Sequence, residues 1–388
     1  MTHTERIKQN IWKLYMLRAI RSFAILLPII SLFFIERGLE QHEIFLLQAL
    51  FGLVFLILEI PSGYFADRFG RRNALILAAV FWALGDLAFA NAYGFWELFR
   101  AEFLLAISAS LFSGADEAMM HDTLRDLGKK ERYLKHDKNI FIVYVLAEGV
   151  AAIIGGILIT YHSYATLWFI QASISALAIP LALSLREPNT HEGRALESVT
   201  KEVGYIFKQP GLFGFFILYA SAFVTTLMMV WFSQPYFIGL GVNEASLGFI
   251  WATYLVLSAL AAQLTPYLER RFGLYAIASA LAFTPVIVYG ALAFLPSGLW
   301  LLTVAAWFWI QRGIQTPVMR TIIQQQAEET NRATTLSVGQ AIARLVFLLS
   351  PILGSVALWG SYEMAFLATG ITLSVLGLIG LTWWRLAR

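Results

Sequence analysis

Cysteine is absent from all 388 residues, which excludes a disulfide scaffold, a thiolate zinc site and a cysteine nucleophile at once. Charge is scarce as well: Asp, Glu, Lys and Arg make up 14% of the chain, hydrophobic residues 59%, and mean hydropathy is +0.67. Soluble domains carry about 25% charged residues, so most of this chain must face lipid or other apolar helices. No stretch matches Gly-x-x-x-x-Gly-Lys-Ser/Thr, and the chain therefore carries no phosphate-cradling loop. The six His residues are scattered without ligand spacing, so no metal site is expected. No nucleophile–base pair stands at defensible spacing, which leaves no catalytic residue to assign, disfavours an enzyme and implies no cofactor. The net charge of +3 and pI near 9.0 do not mark a nucleic-acid surface, because the positive residues fall in short loops between apolar stretches. The polar segment Met1–Asn10 precedes an apolar stretch without a small-residue cleavage site, which reads as a retained first span rather than a secretory signal.

What the chain has in abundance is apolar length. About 20 consecutive apolar residues cross a hydrocarbon core of about 30 Å as helix. By that measure the sequence predicts an all-α membrane protein with twelve transmembrane helices. Their limits are 11–35, 43–65, 73–92, 96–120, 138–160, 164–186, 212–237, 245–267, 272–294, 298–318, 333–358 and 362–385. Connections are short except for 187–211, where Leu196, Val199, Val203 and Ile206 fall at helical spacing beside Glu197, Lys201, Glu202 and Lys208. This linker reads as an amphipathic helix on the membrane surface, joining two six-helix bundles over 1–186 and 212–388.

The bundles are expected to be pseudo-symmetric, because a basic turn recurs. Tyr64, Arg68, Phe69 and Gly70 reappear in register as Tyr267, Arg271, Phe272 and Gly273, as parallel internal repeats do. Lys and Arg collect on one side, at Arg68, Arg71 and Arg72 and again from Arg125 to Lys138, while the opposite side has only Arg37 at the end of the first span. That asymmetry is expected to put both termini of a multi-pass membrane protein in the cytoplasm.

The run Gly63-Tyr64-Phe65-Ala66-Asp67-Arg68-Phe69-Gly70-Arg71-Arg72 between spans 2 and 3, within twelve spans and a long central loop, resembles the major facilitator superfamily. Glu59-Ile60-Pro61-Ser62-Gly63 and Ser113-Gly114-Ala115-Asp116-Glu117-Ala118 resemble a bacterial, efflux-permease-like branch of it. The resemblance implies alternating access, with Gly63, Asp67, Arg68, Gly70, Arg71 and Arg72 latching the cytoplasmic gate. Two departures stand out: in span 5, Ala151-Ala152-Ile153-Ile154-Gly155-Gly156 keeps only the final glycines of the antiporter signature, and Glu102 stands where span 4 of proton antiporters usually has arginine. Asp67 itself is placed to accept hydrogen bonds from the N-terminus of a neighbouring helix, with span 11 the candidate.

Charges inside spans point to function, since each costs about 2.5–3.5 kcal/mol on insertion scales unless paired or hydrated. Arg18 and Arg21 lie about 60° apart on span 1, and Arg21 and Glu148 are each about 15 Å deep, so those two are expected to pair. Arg18 with Asp116 is the alternative interhelical bridge. Glu102 and Asp116 fall about 40° apart on one helix, a line of acids suited to a proton path. Glu102, Asp116 and Glu148 are the proton-coupling candidates, and Asp86 in span 3 has no evident partner. In the second half Trp231, Tyr236, Trp309, Gln311, Arg312, Gln315, Gln340 and Arg344 join Arg18 and Arg21 as candidate cavity lining, suited to an amphipathic organic solute. The expectation is a monomeric secondary transporter in the lipid bilayer whose partners are a small-molecule substrate and protons, exporting by proton coupling. Uptake of an organic anion by symport or uniport, a non-transporting receptor and a lipid flippase are the alternatives.

Overall fold

The computed structural model describes residues 3–188, 204, 210–326, 332–359 and 361–387. Nearly all of the proposed linker helix over 187–211 lies outside them. The described residues form helices and turns, and ten helical stretches are long and apolar enough to cross a membrane. The difference from twelve has two local causes. Spans 8 and 9 run on as one 51-residue helix, and the helix Leu301–Gln326 is too polar to count by composition.

In chain order the helices are α1 (His3–Ser22), α2 (Ile30–Glu36), α3 (Gln41–Phe69), α4 (Arg71–Asn91), α5 (Gly94–Phe112), α6 (Ala115–Asp126), α7 (Tyr133–Leu158), α8 (Tyr164–Ala176) and α9 (Ala178–Leu183). After the linker come α10 (Pro210–Gly239), α11 (Glu244–Phe294), α12 (Leu301–Gln326), α13 (Arg332–Phe347), α14 (Ser350–Trp359) and α15 (Tyr362–Leu386).

Four expected spans are interrupted: spans 6 and 11 by short turns at Leu177 and at Leu348 and Leu349, and spans 1 and 4 as well. Span 1 ends as helix at Ser22 and resumes through a 3-10 turn at Leu27–Ile29 whose first turn holds Pro28, a residue that cannot supply the N–H needed mid-helix. Span 4 stops at Phe112 and restarts at Ala115, with Gly114 left-handed at φ 77°.

Contacts divide the chain into two compact units: Met1–Leu39, Leu50–Arg194 and Glu244–Ala252 form one, and Glu40–Ala49, Ala195–Asn243 and Thr253–Arg388 the other. The first unit is built on α4, whose buried stripe of Ala74, Ala78, Trp82, Asp86 and Phe89 recurs every three or four residues and so faces one way along a helix. Small residues on that stripe admit α5, α6 and α8 closely, and Met119, Met120 and Leu124 complete the core. The second unit gathers α12, α13 and α15 around α10, with Phe216 and Trp384 fully buried. Outward positions stay apolar, as at Ile57, Leu146, Ile287 and Phe294, each more than 60% exposed. Only a lipid surround makes such a surface favourable.

Candidate functional site

A cavity of about 240 Å³ opens in the first unit, walled by Arg18, Arg21, Phe55, Phe112, Asp116 and Glu117 among others. The two helix breaks build it. Ending α1 at Ser22 leaves Arg21 in its last turn, where unpaired carbonyls favour a cation. Restarting span 4 at Ala115 puts Asp116 and Glu117 in the first turn of α6, where the free N–H groups favour anions. Arg18 Nη2 meets Asp116 Oδ2 at 2.5 Å, with side-chain exposures of 25% and 10%. Both guanidinium groups lie over the Phe112 ring, at 5.4 Å for Arg18 and 4.6 Å for Arg21, and Arg21 also lies 5.3 Å from Trp82. Arg21 Nη1 donates to Ser108 Oγ at 3.2 Å. The chamber thus holds an ion pair and a second cation against aromatic walls, where charges attract more strongly than in water.

The expected Arg21–Glu148 pair does not form. Equal depth placed the two residues level but could not say that they face different neighbours. Glu148, 3% exposed, accepts from the Trp251 indole Nε1 at 3.0 Å. Two turns before Trp251, Glu244 Oε2 accepts from Tyr164 Oη at 3.0 Å. A single face of Glu244–Ala252 therefore ties α11 to α7 and α8 within the first unit. The expected line of acids along span 4 is also corrected. Gly114 resets the helical phase between Glu102 and Asp116, so the 40° relation does not carry across. Glu102 is buried on α5, and the cavity wall holds Asp116 and Glu117 without it.

The motif loop is ordered by a residue that sequence reasoning missed. Glu187, just beyond α9, takes the backbone N–H groups of Arg71 and Arg72 on Oε1 and Oε2 at 2.7 and 2.8 Å, capping the N-terminus of α4 with a full negative charge. Gly70 precedes that cap at φ 95°, and a Cβ there would sit 3.1 Å from the Glu187 carboxyl, so glycine serves both the turn and the cap. Gly273, its counterpart in the repeated loop, has φ 79° and ψ 156° against 95° and 145°. Arg71 Nη1 pairs with buried Asp122 Oδ2 at 2.9 Å, and its Nη2 lies 4.0 Å from Asp67 Oδ1. Arg72 donates to the carbonyls of Leu183 and Leu185. Asp67 and Arg68 are exposed, Arg68 donating to the Tyr64 hydroxyl at 3.0 Å, and Gly63 is open to its surroundings. The signal for Glu187 was available: an acid directly after span 6, on the side where the basic loop lies.

In the second unit the candidates separate. Gln311 and Gln315 are buried on α12, with Gln311 Nε2 donating to the Ala222 carbonyl at 2.9 Å. Arg312, Arg320 and Arg344 all bear electrostatically on Tyr219, and Gln340 is exposed on α13. Trp309 lies against Tyr254 in a tilted arrangement, ring centroids 4.5 Å apart. Tyr236 packs against Phe366 and Tyr362 and belongs to an aromatic core, while the Trp231 carbonyl accepts from Gln41 Nε2.

Helices long and apolar enough to cross a membrane, with a charged, aromatic-walled chamber inside the first unit, define a multi-pass membrane protein. The family model for the Major Facilitator Superfamily matches residues 15–314, and the chain belongs to that superfamily. It is 25% identical over 272 residues to a bicyclomycin resistance protein homolog of Haemophilus influenzae, covering 69% of this chain and 64% of that one. It is 28% identical over 191 residues to a Na(+), Li(+), K(+)/H(+) antiporter of Planococcus maritimus, covering 45% and 41%. The chain thus matches less than two thirds of the length of these relatives. A crystal structure of a mutant nucleoside transporter NupG superposes with a TM-score of 0.77 at 13% identity, covering 98% of this chain and 99% of that one. Membership places the chain among the proteins of that superfamily.

Proposed function

We propose that the protein is a proton-coupled exporter of a small amphipathic organic solute, working by alternating access between two six-helix bundles. Twelve spans follow if α11 counts as two, interrupted at Gly273, and α12 crosses despite its polar residues. Both termini then lie in the cytoplasm of a bacterial inner membrane, as the distribution of Lys and Arg requires.

The observation that carries the reading is the Arg18–Asp116 pair in the cavity wall. Protonation of Asp116 releases Arg18 for a ligand, and a ligand that engages Arg18 frees Asp116 for a proton. Such competition is what exchange of solute for proton needs. Glu148 and Glu102 are the other candidate carriers, both buried. The names of the relatives, one a drug-resistance protein homolog and one a cation/proton antiporter, support export by antiport. Uptake of an organic anion is the second reading, favoured by the cations Arg312, Arg320 and Arg344 around Tyr219.

The test is accumulation and efflux in proteoliposomes under an imposed pH gradient, across a panel of amphipathic amines, zwitterions and organic anions. The neutral variant of the true carrier, among Asp116→Asn, Glu102→Gln and Glu148→Gln, abolishes pH-driven accumulation and keeps exchange without a gradient. Unchanged accumulation in all three variants overturns coupling through these residues. A wild type that ignores the gradient favours uniport.

A further inference from the structure

We propose that Asp86 is a proton-binding site that controls the break in the first helix, and thereby the arginines of the cavity. The proposal rests on the proton-coupled reading, but its test does not depend on transport. Asp86 lies on the buried stripe of α4 and is 2% exposed. The sequence offered it no partner, whereas the fold gives it several. Ser175 Oγ donates to Asp86 Oδ2. Gln171, one turn earlier on α8, is a second hydrogen-bonding neighbour. Gln171 Oε1 accepts the backbone N–H of Ile25 at 3.0 Å, so the amide NH2 is the side left to face the carboxyl group.

Ile25 lies in the non-helical stretch after Ser22, so its N–H lacks the usual helical partner. Its carbonyl is confined from the other side by Gly155 of α7, where a Cβ would come within 1.8 Å of the Ile25 oxygen. The break is therefore clamped between α7 and a side-chain chain running from Gln171 and Ser175 to Asp86. Arg18 and Arg21 sit just before it, and the charge of Arg21 acts on Asp86.

The donors around Asp86 identify its ligand. A hydroxyl and an amide NH2 point at the carboxyl group, and Arg21 adds positive charge. A metal cation would find oxygens on one side only and repulsion on another, whereas a proton needs nothing more than the carboxylate. As an anion, Asp86 accepts both donors and balances Arg21. Once protonated it carries a hydrogen that Ser175 Oγ or Gln171 Oε1 must accept. If Gln171 Oε1 turns to accept it, the Ile25 N–H loses its partner. If Ser175 Oγ accepts it, the hydroxyl turns away from Asp86 and disturbs the Gln171 amide, which donates to Ser175 Oγ at 3.5 Å. Either way the segment that carries Arg18 and Arg21 is loosened. Other ionisable groups on the elements packed against α4 are Glu97, Arg100 and Glu102 of α5, Asp116, Glu117, His121, Asp122, Arg125 and Asp126 of α6, and Tyr164 of α8. Asp116 is engaged by Arg18, Asp122 by Arg71 and Tyr164 by Glu244.

Two measurements on the full chain in liposomes test this without a substrate. The first is the infrared carbonyl band of a protonated carboxyl group, recorded as the difference between acidic and alkaline buffer. The second is the labelling rate of Ala109→Cys, a cavity-wall position in a chain without cysteine. The same substitution in an Asp86→Asn background at each pH removes the thiol's own ionisation from the comparison. Asp86→Asn loses one carboxyl band and the pH dependence of labelling. Gln171→Leu keeps the band and loses the pH dependence. A band and a pH-dependent rate that survive Asp86→Asn overturn the proposal, as does a response to sodium at constant pH. If Asp86→Asn does not fold, Ser175→Ala decides: it removes one donor and moves the midpoint of the band, and an unmoved midpoint overturns the assignment.

Discussion

Separating Arg18 from Asp116 tests whether the cavity is built on a genuine ion pair. At 2.5 Å and an effective dielectric of about 20, the attraction is roughly 7 kcal/mol before any cost is subtracted. Desolvation of the two groups opposes most of it, at several kcal/mol per ion. Removing one partner leaves the other charged in a poorly hydrated site, which costs about 3–5 kcal/mol. The lower end, about 3 kcal/mol, is expected here, because a quarter of the Arg18 side chain is exposed and its head can reach water. Arg18→Met and Asp116→Asn should each lose that much, and the double variant should recover most of it. The expected non-additivity is therefore at least about 2 kcal/mol. Unfolding of the purified variants in mixed micelles, followed by circular dichroism against denaturing detergent, measures all three. Losses that add within about 0.5 kcal/mol mean that the two residues act independently, and the competition argued between proton and solute would fall with them.

Two further outcomes follow from particular contacts. Glu187→Gln keeps the shape of the cap but removes its charge from two short N–H bonds, and should cost about 1–2 kcal/mol, whereas Asp67→Asn, exposed and 4.0 Å from Arg71, should cost less than about 1 kcal/mol. Equal losses by detergent unfolding would refute the assignment of the cap to Glu187. Gly155→Ala should destabilise by about 1–3 kcal/mol, since the new methyl meets a backbone carbonyl that cannot swing aside; an unchanged midpoint would mean that α7 does not press on the break.

That the chain is built of membrane-crossing apolar stretches was readable from sequence because bilayer thickness acts on each segment separately, whereas ten rather than twelve of them qualify among the described residues. The turn of the motif loop was readable for a related reason, since it depends on Gly70 at positive φ, whereas the charges that hold it, Glu187 and Asp122, lie far along the chain. Arg21 and Glu148 show where such reading stops. Depth along a helix follows from counting, but which face of which helix meets Glu148 is set by packing, and packing gave it Trp251. Asp86 is the sharper case. The sequence placed it in span 3 without a partner, and the structure sets it on the buried stripe of α4 with Ala74, Ala78 and Trp82. Its partners Ser175 and Gln171 lie on a helix nearly ninety residues later, and nothing local names them.

By itself, then, the sequence determined the class of protein, the apolar lengths and the repeated loop, because each rests on hydrophobicity or turn chemistry that neighbours in the chain supply. The tertiary structure decided the breaks after Ser22 and Phe112, the cap by Glu187, the pairing of Arg18 with Asp116 and the clamp on Ile25. Each of these is a bargain between groups on different helices, struck where an unsatisfied charge or N–H in an apolar interior must find a partner across a packed interface.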